Sequence, residues 1–271
     1  MRRRLRHWLN PRLPAVEENG AAVASLLSKQ AWHPEVEAVL SCCTGVWAIS
    51  ESFGRFLASV VSERGCRNVL EFGAGSSSLV LATALSTQGG GKLTSVEQDP
   101  RWCQERWERV AQIENVDAEM IVAKPQLTFG RFGVYYAFKQ AGRAIAGRGP
   151  YDFVVVDAPQ YFYGRDGALP LVCQSCSVEA WIVLDDAARP GERRTLFRWL
   201  RTYPGVTLEF YDPGFGDKGL AVLCARQPEG RSWSGRAVLS SVYDLYLGWK
   251  YRRMEARNQG DEVNRPLAQS V

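Results

Sequence analysis

Residues 71–78 read Glu71-Phe-Gly73-Ala-Gly75-Ser-Ser77-Ser78. Two glycines one residue apart let a backbone turn tightly and approach a ligand closely, which is what a nucleotide-type loop requires. The third glycine of a dinucleotide fingerprint is out of phase, so the run taken alone also fits a tight strand-to-helix turn. Glu97 lies 24 residues after Gly73, the separation at which a carboxylate closing the next strand meets the two hydroxyls of a ribose. Loop and carboxylate together are far more specific than either part. A second group is acidic. Asp157 and the pair Asp185-Asp186 each follow an apolar run, and neighbouring parallel strands lie only about 5 Å apart, so their ends converge on one crevice. Three carboxylates there need compensation. Asp185 or Asp186 could instead cap the following helix or pair with Arg165 or Arg189.

The elements that must hold these residues are legible as β-rich runs alternating with helical stretches, the pattern of a parallel sheet covered on both faces. The runs are 68–72, 92–96, 118–123, 152–156, 180–184, 206–211 and 219–225. The unbroken apolar character of Asp152-Phe-Val-Val-Val156 marks a central strand buried on both faces. Asp212-Pro-Gly-Phe-Gly-Asp-Lys218 is a turn-rich link short enough to make the last two runs an antiparallel pair. Helices are expected over 76–86, from Pro100 with Trp102, Trp107 and Val110 at helical spacing, and from Pro190 through Leu200. Residues 233–257 read as a basic, aromatic helix. Leu239, Val242, Leu245, Tyr246 and Trp249 share one face of it, which is expected to dock on the domain rather than anchor in a membrane. A polar tail from Gln259 is expected to be disordered.

Composition bounds the reading. The 271 residues suit one large domain with extensions or two small ones, and 46% hydrophobic with 23% charged residues is globular rather than disordered or fibrous. Lys plus Arg (33) against Asp plus Glu (29) leaves +4, too little to imply nucleic acid. No run approaches the roughly 20 apolar residues of a membrane span. The start Arg2-Arg3-Arg4-Leu5-Arg6 lacks a following apolar region, so no secretory signal is expected. Seven cysteines without a disulfide framework suit a reducing, cytoplasmic location. Cys173 and Cys176 form a lone CxxC, better read as buried thiols on a helix face than as a zinc site.

Four segments together make the chain resemble the class I S-adenosylmethionine-dependent methyltransferases: Val69-Leu-Glu-Phe-Gly-Ala-Gly-Ser-Ser-Ser78, Thr94-Ser-Val-Glu-Gln-Asp-Pro-Arg-Trp102, Tyr151-Asp-Phe-Val-Val-Val-Asp157 and Trp181-Ile-Val-Leu-Asp-Asp186. The resemblance covers about Glu51 to Arg226. It implies an α/β fold, a seven-stranded Rossmann-like sheet of order 3-2-1-4-5-7-6 with the last strand antiparallel and helices on both faces. Carried over residue by residue, it implies S-adenosylmethionine with Glu71 near its ammonium end, Gly73 and Gly75 against its backbone, and Ser77 or Ser78 near its carboxylate. Glu97 would take the ribose diol, Gln98 would lie beside the adenine, and Asp157 would face the methionine end and the substrate. Where many members place an acid after the third strand to bind the adenine amine, this chain has Lys124-Pro125. The acidic trio is also similar to that of the metal-dependent O-methyltransferases, in which such residues hold Mg2+; by that resemblance Asp157, Asp185 and Asp186 are candidate metal ligands.

Methyl transfer from a sulfonium is an in-line displacement, so the protein must align an acceptor lone pair and, for a hydroxyl, remove its proton. Asp157 is the candidate base. His33, in Ala31-Trp-His-Pro-Glu35, is a second candidate if the N-terminal segment folds over the site, and a loop residue otherwise. Tyr161 and Tyr163 are candidates to line the acceptor pocket or to pack a loop. Arg165 either binds an anionic acceptor or neutralises the aspartates. The expected activity is O-methylation of a small-molecule or sugar-like acceptor. One alternative is N-methylation of nucleic acid or another amine, since Asp157-Ala-Pro-Gln-Tyr161 is distantly similar to the Asp-Pro-Pro-Tyr signature of adenine amino-methyltransferases. Another is a non-catalytic interaction module, with the Arg-rich start and the Tyr243–Arg253 helix as contact surfaces. The organisation read is an N-terminal basic, helical arm over 1–50 that could serve as a substrate lid, the methyltransferase domain over 51–226, and a C-terminal helix and tail over 227–271. Homo-oligomerisation stays open.

Overall fold

The computed structural model describes Leu13 and residues 20–28, 33–45, 48–226 and 232–263. The arginines at positions 2–6 and the tail from residue 264 lie outside the described residues. In chain order the strands are β1 (Asn68–Phe72), β2 (Gly91–Glu97), β3 (Val116–Val122), β4 (Gln126–Gly130), β5 (Gly133–Ala137), β6 (Tyr151–Val156), β7 (Cys176–Asp185), β8 (Val206–Asp212) and β9 (Leu220–Ala225). Seven of them form one sheet of order β3-β2-β1-β6-β7-β9-β8, in which β9 runs antiparallel to both neighbours. With β4 and β5 set aside, this is the order 3-2-1-4-5-7-6. The helices are α1 (Gly20–Leu27), α2 (Pro34–Cys42), α3 (Glu51–Glu63), α4 (Ser76–Thr87), α5 (Gln104–Val110), α6 (Gly142–Arg148), α7 (Ala168–Val172), α8 (Pro190–Thr202) and α9 (Gly235–Val263).

Strand alternation divides the core between the two faces of the sheet. Val69, Phe153, Val155 and Val183 point to the face covered by α1 to α5, where they join Phe56, Leu57, Leu81 and Leu85. Leu70, Val154, Val156, Ile182 and Leu184 point to the other face, with Ile145, Leu169, Leu196 and Trp199. Both sides of the central strands are apolar because both are covered. Val23 of α1 and Val36 and Leu40 of α2 belong to the first of these clusters, so the described part of the N-terminal arm contributes to the core.

Four expectations are corrected. The sequence reading left out the hairpin β4–β5, whose register pairs Gly130 with Gly133 around Arg131-Phe132 and whose turn needs a positive φ of 112° at Gly133. Trp102 closes a short 3-10 turn, Pro100–Trp102, ahead of α5 and is 62% exposed rather than part of a docked helical face. Cys173 and Cys176 do not share a helix: Cys173 caps the end of α7 and Cys176 opens β7, both as free thiols. The C-terminal helix continues to Val263, past the expected start of a disordered tail.

Its docked face is also different. Leu239, Val242, Tyr246 and Trp249 are 49–57% exposed, whereas Ala237, Ser240, Ser241 and Gly248 are buried. Small residues let α9 approach closely. A Cβ on Gly248 would collide with the Phe162 carbonyl oxygen, and the Val134 N–H donates to Ser241 Oγ at 3.1 Å. Asp244 reaches back to Arg194 and Arg198 of α8, and Arg198 also grips both oxygens of Asp166. An ion network, buried except for the partly exposed Asp244, thus fastens α9 to α8 and to the segment after β6.

Candidate active site

The parallel registers align Phe72, Val96, Val156 and Leu184, so Gly73, Glu97, Asp157 and Asp185 emerge along one edge of the sheet. Gly73 turns the chain away from β1 with φ 101°, a conformation glycine adopts without strain. A Cβ there would stand 3.1 Å from Ala158 Cβ and 3.4 Å from the Asp157 carbonyl carbon. Its absence lets the loop lie against the mouth of β6. Gly75 precedes α4 with open space where a Cβ would be, which leaves a backbone edge that a ligand can approach.

Glu71 sits beneath this loop, fully buried. Its Oε2 accepts hydrogen bonds from Ser78 Oγ at 2.6 Å and Ser95 Oγ at 2.8 Å, while Oε1 is buried without a hydrogen-bond partner among the described residues. Burial pushes its carboxyl up to about 7, against the lowering effect of the serine hydroxyls. A cationic ligand would satisfy Oε1 and restore the charge. Ser78 therefore supports Glu71, and its Oγ also accepts from the Gly75 N–H at 2.9 Å. Ser77 is buried beside it at the start of α4. Glu97 closes β2 and ties the loop down, since its two oxygens accept from the Ala74 N–H at 3.0 Å and the Asp99 N–H at 2.8 Å. Gln98 follows with its Oε1 buried and without a hydrogen-bond partner among the described residues. Buried acceptors at Glu71 and Gln98 that find no partner among the described residues fit a ligand that carries an ammonium and further donors.

The acidic trio has a different answer. Oxygens of Asp157, Asp185 and Asp186 all lie within 4.8 Å of one another, yet a guanidinium already stands among them. Arg165 Nη2 is 2.7 Å from Asp157 Oδ1 and 2.7 Å from Asp186 Oδ2, and Nη1 donates to the Asp185 carbonyl. Arg189 adds a second contact to Asp186 Oδ2 at 2.8 Å. Arg165 is only 3% exposed, so it compensates the carboxylates rather than reaching for an anionic acceptor. Arg165 thus already occupies one oxygen of Asp157 and one of Asp186, while Asp186 Oδ1 is buried without a hydrogen-bond partner among the described residues. Burial still dominates the protonation: Asp157 is pushed up to about 6 and Asp185 to about 7, with Arg165 acting in the opposite sense. Glu192, in the first turn of α8, is pushed up to about 7 by the same burial. It was missed in the sequence, although an acid two residues after Pro190 in a helix's first turn is a readable signal.

Tyr161 and Tyr163 lie in the segment after β6 and border a cavity of about 500 Å³ that Arg189, Glu192, Tyr243 and Tyr251 also line. Tyr161 meets Tyr251 edge-on at 5.9 Å. Tyr163 meets Tyr136 at 4.9 Å, and Arg252 stacks over both Tyr136 and Tyr163. The hairpin and α9 thus hold the aromatic segment. His33 is not brought over the site by any described contact. It is exposed and caps α2, its Nδ1 facing the Glu35 N–H at 3.4 Å. The N-terminal segment does touch the loop elsewhere, where the Ile49 N–H donates to Ser76 Oγ at 3.0 Å.

Residues 70–187 match the family model described as a methyltransferase domain. No curated protein matches the chain. Among solved structures, a protein from Klebsiella pneumoniae is 16% identical over 78% of this chain and 97% of its own, with a TM-score of 0.52. An O-methyltransferase from Bacillus cereus in complex with SAH is 18% identical over 76% of this chain and 96% of its own, with a TM-score of 0.51. Cofactor-bound Rv0187 from MTB is 19% identical over 80% of this chain and 100% of its own, with a TM-score of 0.52. At these identities the structures speak to the fold, while the family match speaks to the segment that carries the glycine loop, Glu97, Asp157 and the aspartate pair. Sheet order, glycine loop and family match agree: residues 70–187 are similar to a methyltransferase domain, set in the seven-stranded fold that the resemblance to class I S-adenosylmethionine-dependent methyltransferases implies.

Proposed function

We propose that the protein transfers a methyl group to a hydroxyl of a small-molecule or sugar-like acceptor, without a metal ion, and that Asp157 is the base. The observation that carries this reading is the pairing of Asp157 with Arg165 at 2.7 Å, directly beside the glycine loop. When bound, S-adenosylmethionine supplies an electrophilic methyl group on sulfur. Glu71 Oε1 would receive the ammonium, Glu97 the ribose diol and Gln98 the adenine edge, while Gly73 and Gly75 permit close approach and Ser77 and Ser78 border the carboxylate. Asp157, pushed up to about 6, is ionised at neutral pH yet basic enough to take a hydroxyl proton as the oxygen attacks. Arg165 fixes its orientation and supplies the positive charge that a metal ion would otherwise bring. Tyr161 and Tyr163 would flank the acceptor. The fold neighbour from Bacillus cereus is an O-methyltransferase, which supports an oxygen acceptor by analogy only.

The test is transfer of a labelled methyl group to panels of catechols, flavonoids and hexosides, with EDTA present throughout. O-methylated product in EDTA, lost in Asp157→Asn while SAH still binds, is the expected result. An active Asp157→Asn enzyme removes this residue from the mechanism, and a product methylated on a nucleobase nitrogen overturns the acceptor class.

A further inference from the structure

Helix α9 is amphipathic in the reverse of the usual sense. Its inward face carries Ala237, Ser240, Ser241, Asp244 and Gly248, and it docks through hydrogen bonds, close backbone approach and buried ion pairs. Its outward face carries Leu239, Val242, Tyr246 and Trp249, exposed by 56, 50, 57 and 49%. These four recur at spacings of three, four and three, so they line one stripe about 15 Å long at 1.5 Å rise per residue. Tyr246 and Trp249 stack on each other at 6.4 Å, and the Arg253 guanidinium lies 4.7 Å over the Trp249 ring. Met254 extends the apolar surface.

Charge selects the occupant. Along α9 the basic residues are Arg236, Lys250, Arg252, Arg253 and Arg257 and the acids are Asp244, Glu255, Asp261 and Glu262, the last three C-terminal to the stripe. Asp244 is consumed by Arg194 and Arg198 on the inward side. The stripe is apolar and aromatic, and the exposed charges beside it are those of Lys250 and Arg253, while Arg252 is turned onto Tyr136 and Tyr163 and Arg236 onto Phe197. A second copy packed on it in antiparallel fashion would set the exposed Lys250 of one helix against Leu239 of the other rather than against an acid. An anionic bilayer meets every feature at once: tryptophan and tyrosine sit at the headgroup level, aliphatic side chains enter the acyl boundary, and lysine and arginine meet lipid phosphate and carboxylate. No described helix is long and apolar enough to cross a membrane, so the helix would lie in the surface plane. We propose that the outward face of α9 is a docking surface for an anionic lipid bilayer.

The test is co-sedimentation of the full chain with large unilamellar vesicles of phosphatidylcholine containing one-quarter phosphatidylserine, against pure phosphatidylcholine, with tryptophan emission recorded in parallel. Binding to the anionic vesicles with a blue shift, weakened by salt, is the expected result. Tyr246→Ser with Trp249→Ser, and separately Lys250→Glu with Arg253→Glu, should each lower the partition coefficient by about tenfold or more. These positions are exposed, and an unchanged melting curve confirms that each variant folds. The proposal is overturned if the wild type stays in the supernatant as a monomer, as it would if the chain's own N-terminal residues covered the stripe. It is equally overturned if light scattering shows a dimer that the Trp249 variant dissociates, or if the variants bind vesicles as well as the wild type.

Discussion

Replacing Arg165 with methionine removes a cation that touches Asp157 and Asp186 at 2.7 Å each and leaves a side chain of similar length. The contact to Asp186 is almost completely buried, at 3 and 5% exposure, so breaking it strands a charge at a cost of about 3–5 kcal/mol. Protonation relieves that cost. Loss of an adjacent guanidinium raises a carboxyl's pKa by about 1–3, which carries Asp157 from about 6 to roughly 7–9. At pH 7 its ionised fraction then falls from about nine tenths to between about one half and one hundredth. The assay is kcat/KM against pH for the wild type, Arg165→Met and Arg165→Lys, once an acceptor is in hand. Arg165→Met should lose activity at pH 7 and regain much of it as pH rises through the displaced midpoint, and Arg165→Lys should move the midpoint less. An Arg165→Met enzyme whose acid limb coincides with the wild type's would refute the coupling between this arginine and the base. If Arg165→Met does not fold, Arg165→Lys still reports the shift.

Mg2+ and EDTA should leave the melting temperature of the wild type unchanged, whereas Arg165→Met, with its three carboxylates freed, should be stabilised by millimolar Mg2+; a shift in the wild type would restore the metal reading. Stability should fall with rising pH in the absence of cofactor. Glu71, Asp157, Asp185 and Glu192 are raised to about 7, 6, 7 and 7, above an unfolded value of about 4, so the native state holds extra protons. The stabilisation is complete below about pH 4 and is lost as pH climbs through about 6–7, so the urea midpoint should be higher at pH 5 than at pH 8. SAH affinity should move the other way, tightening as pH rises through about 7 because its ammonium favours ionised Glu71; calorimetry in buffers of different ionisation enthalpy should detect proton release near pH 6.5, and a pH-independent affinity would separate Glu71 from the ligand.

The sheet was legible because its strands are buried on both faces: runs such as Phe153 to Val156 cannot be solvent-facing, and their order followed from the resemblance of the glycine loop and Glu97. The hairpin β4–β5 was written in the sequence as Gly130-Arg-Phe-Gly133 between apolar runs, but alternation there is diluted by Thr128 and Tyr136. The outward stripe of α9 was visible as a period, and the period could not say which face meets the protein. Docking there depends on Ser241, Asp244 and Gly248, whose small size and charge invert the usual pattern. Likewise, Arg165 could be named but not assigned, since only the fold brings residue 165 between residues 157 and 186. His33 beside Pro34 was compatible with a base, but the helix start it caps uses its ring locally.

The most direct test of the account is calorimetric titration of the purified chain with SAH, with NAD as the control. Saturable one-to-one binding in the micromolar range, weakened in Glu97→Ala by about 1–3 kcal/mol through lost hydrogen bonds, with no heat from NAD, is the predicted result. Absence of SAH binding to the folded protein, or binding of NAD in its place, would contradict it.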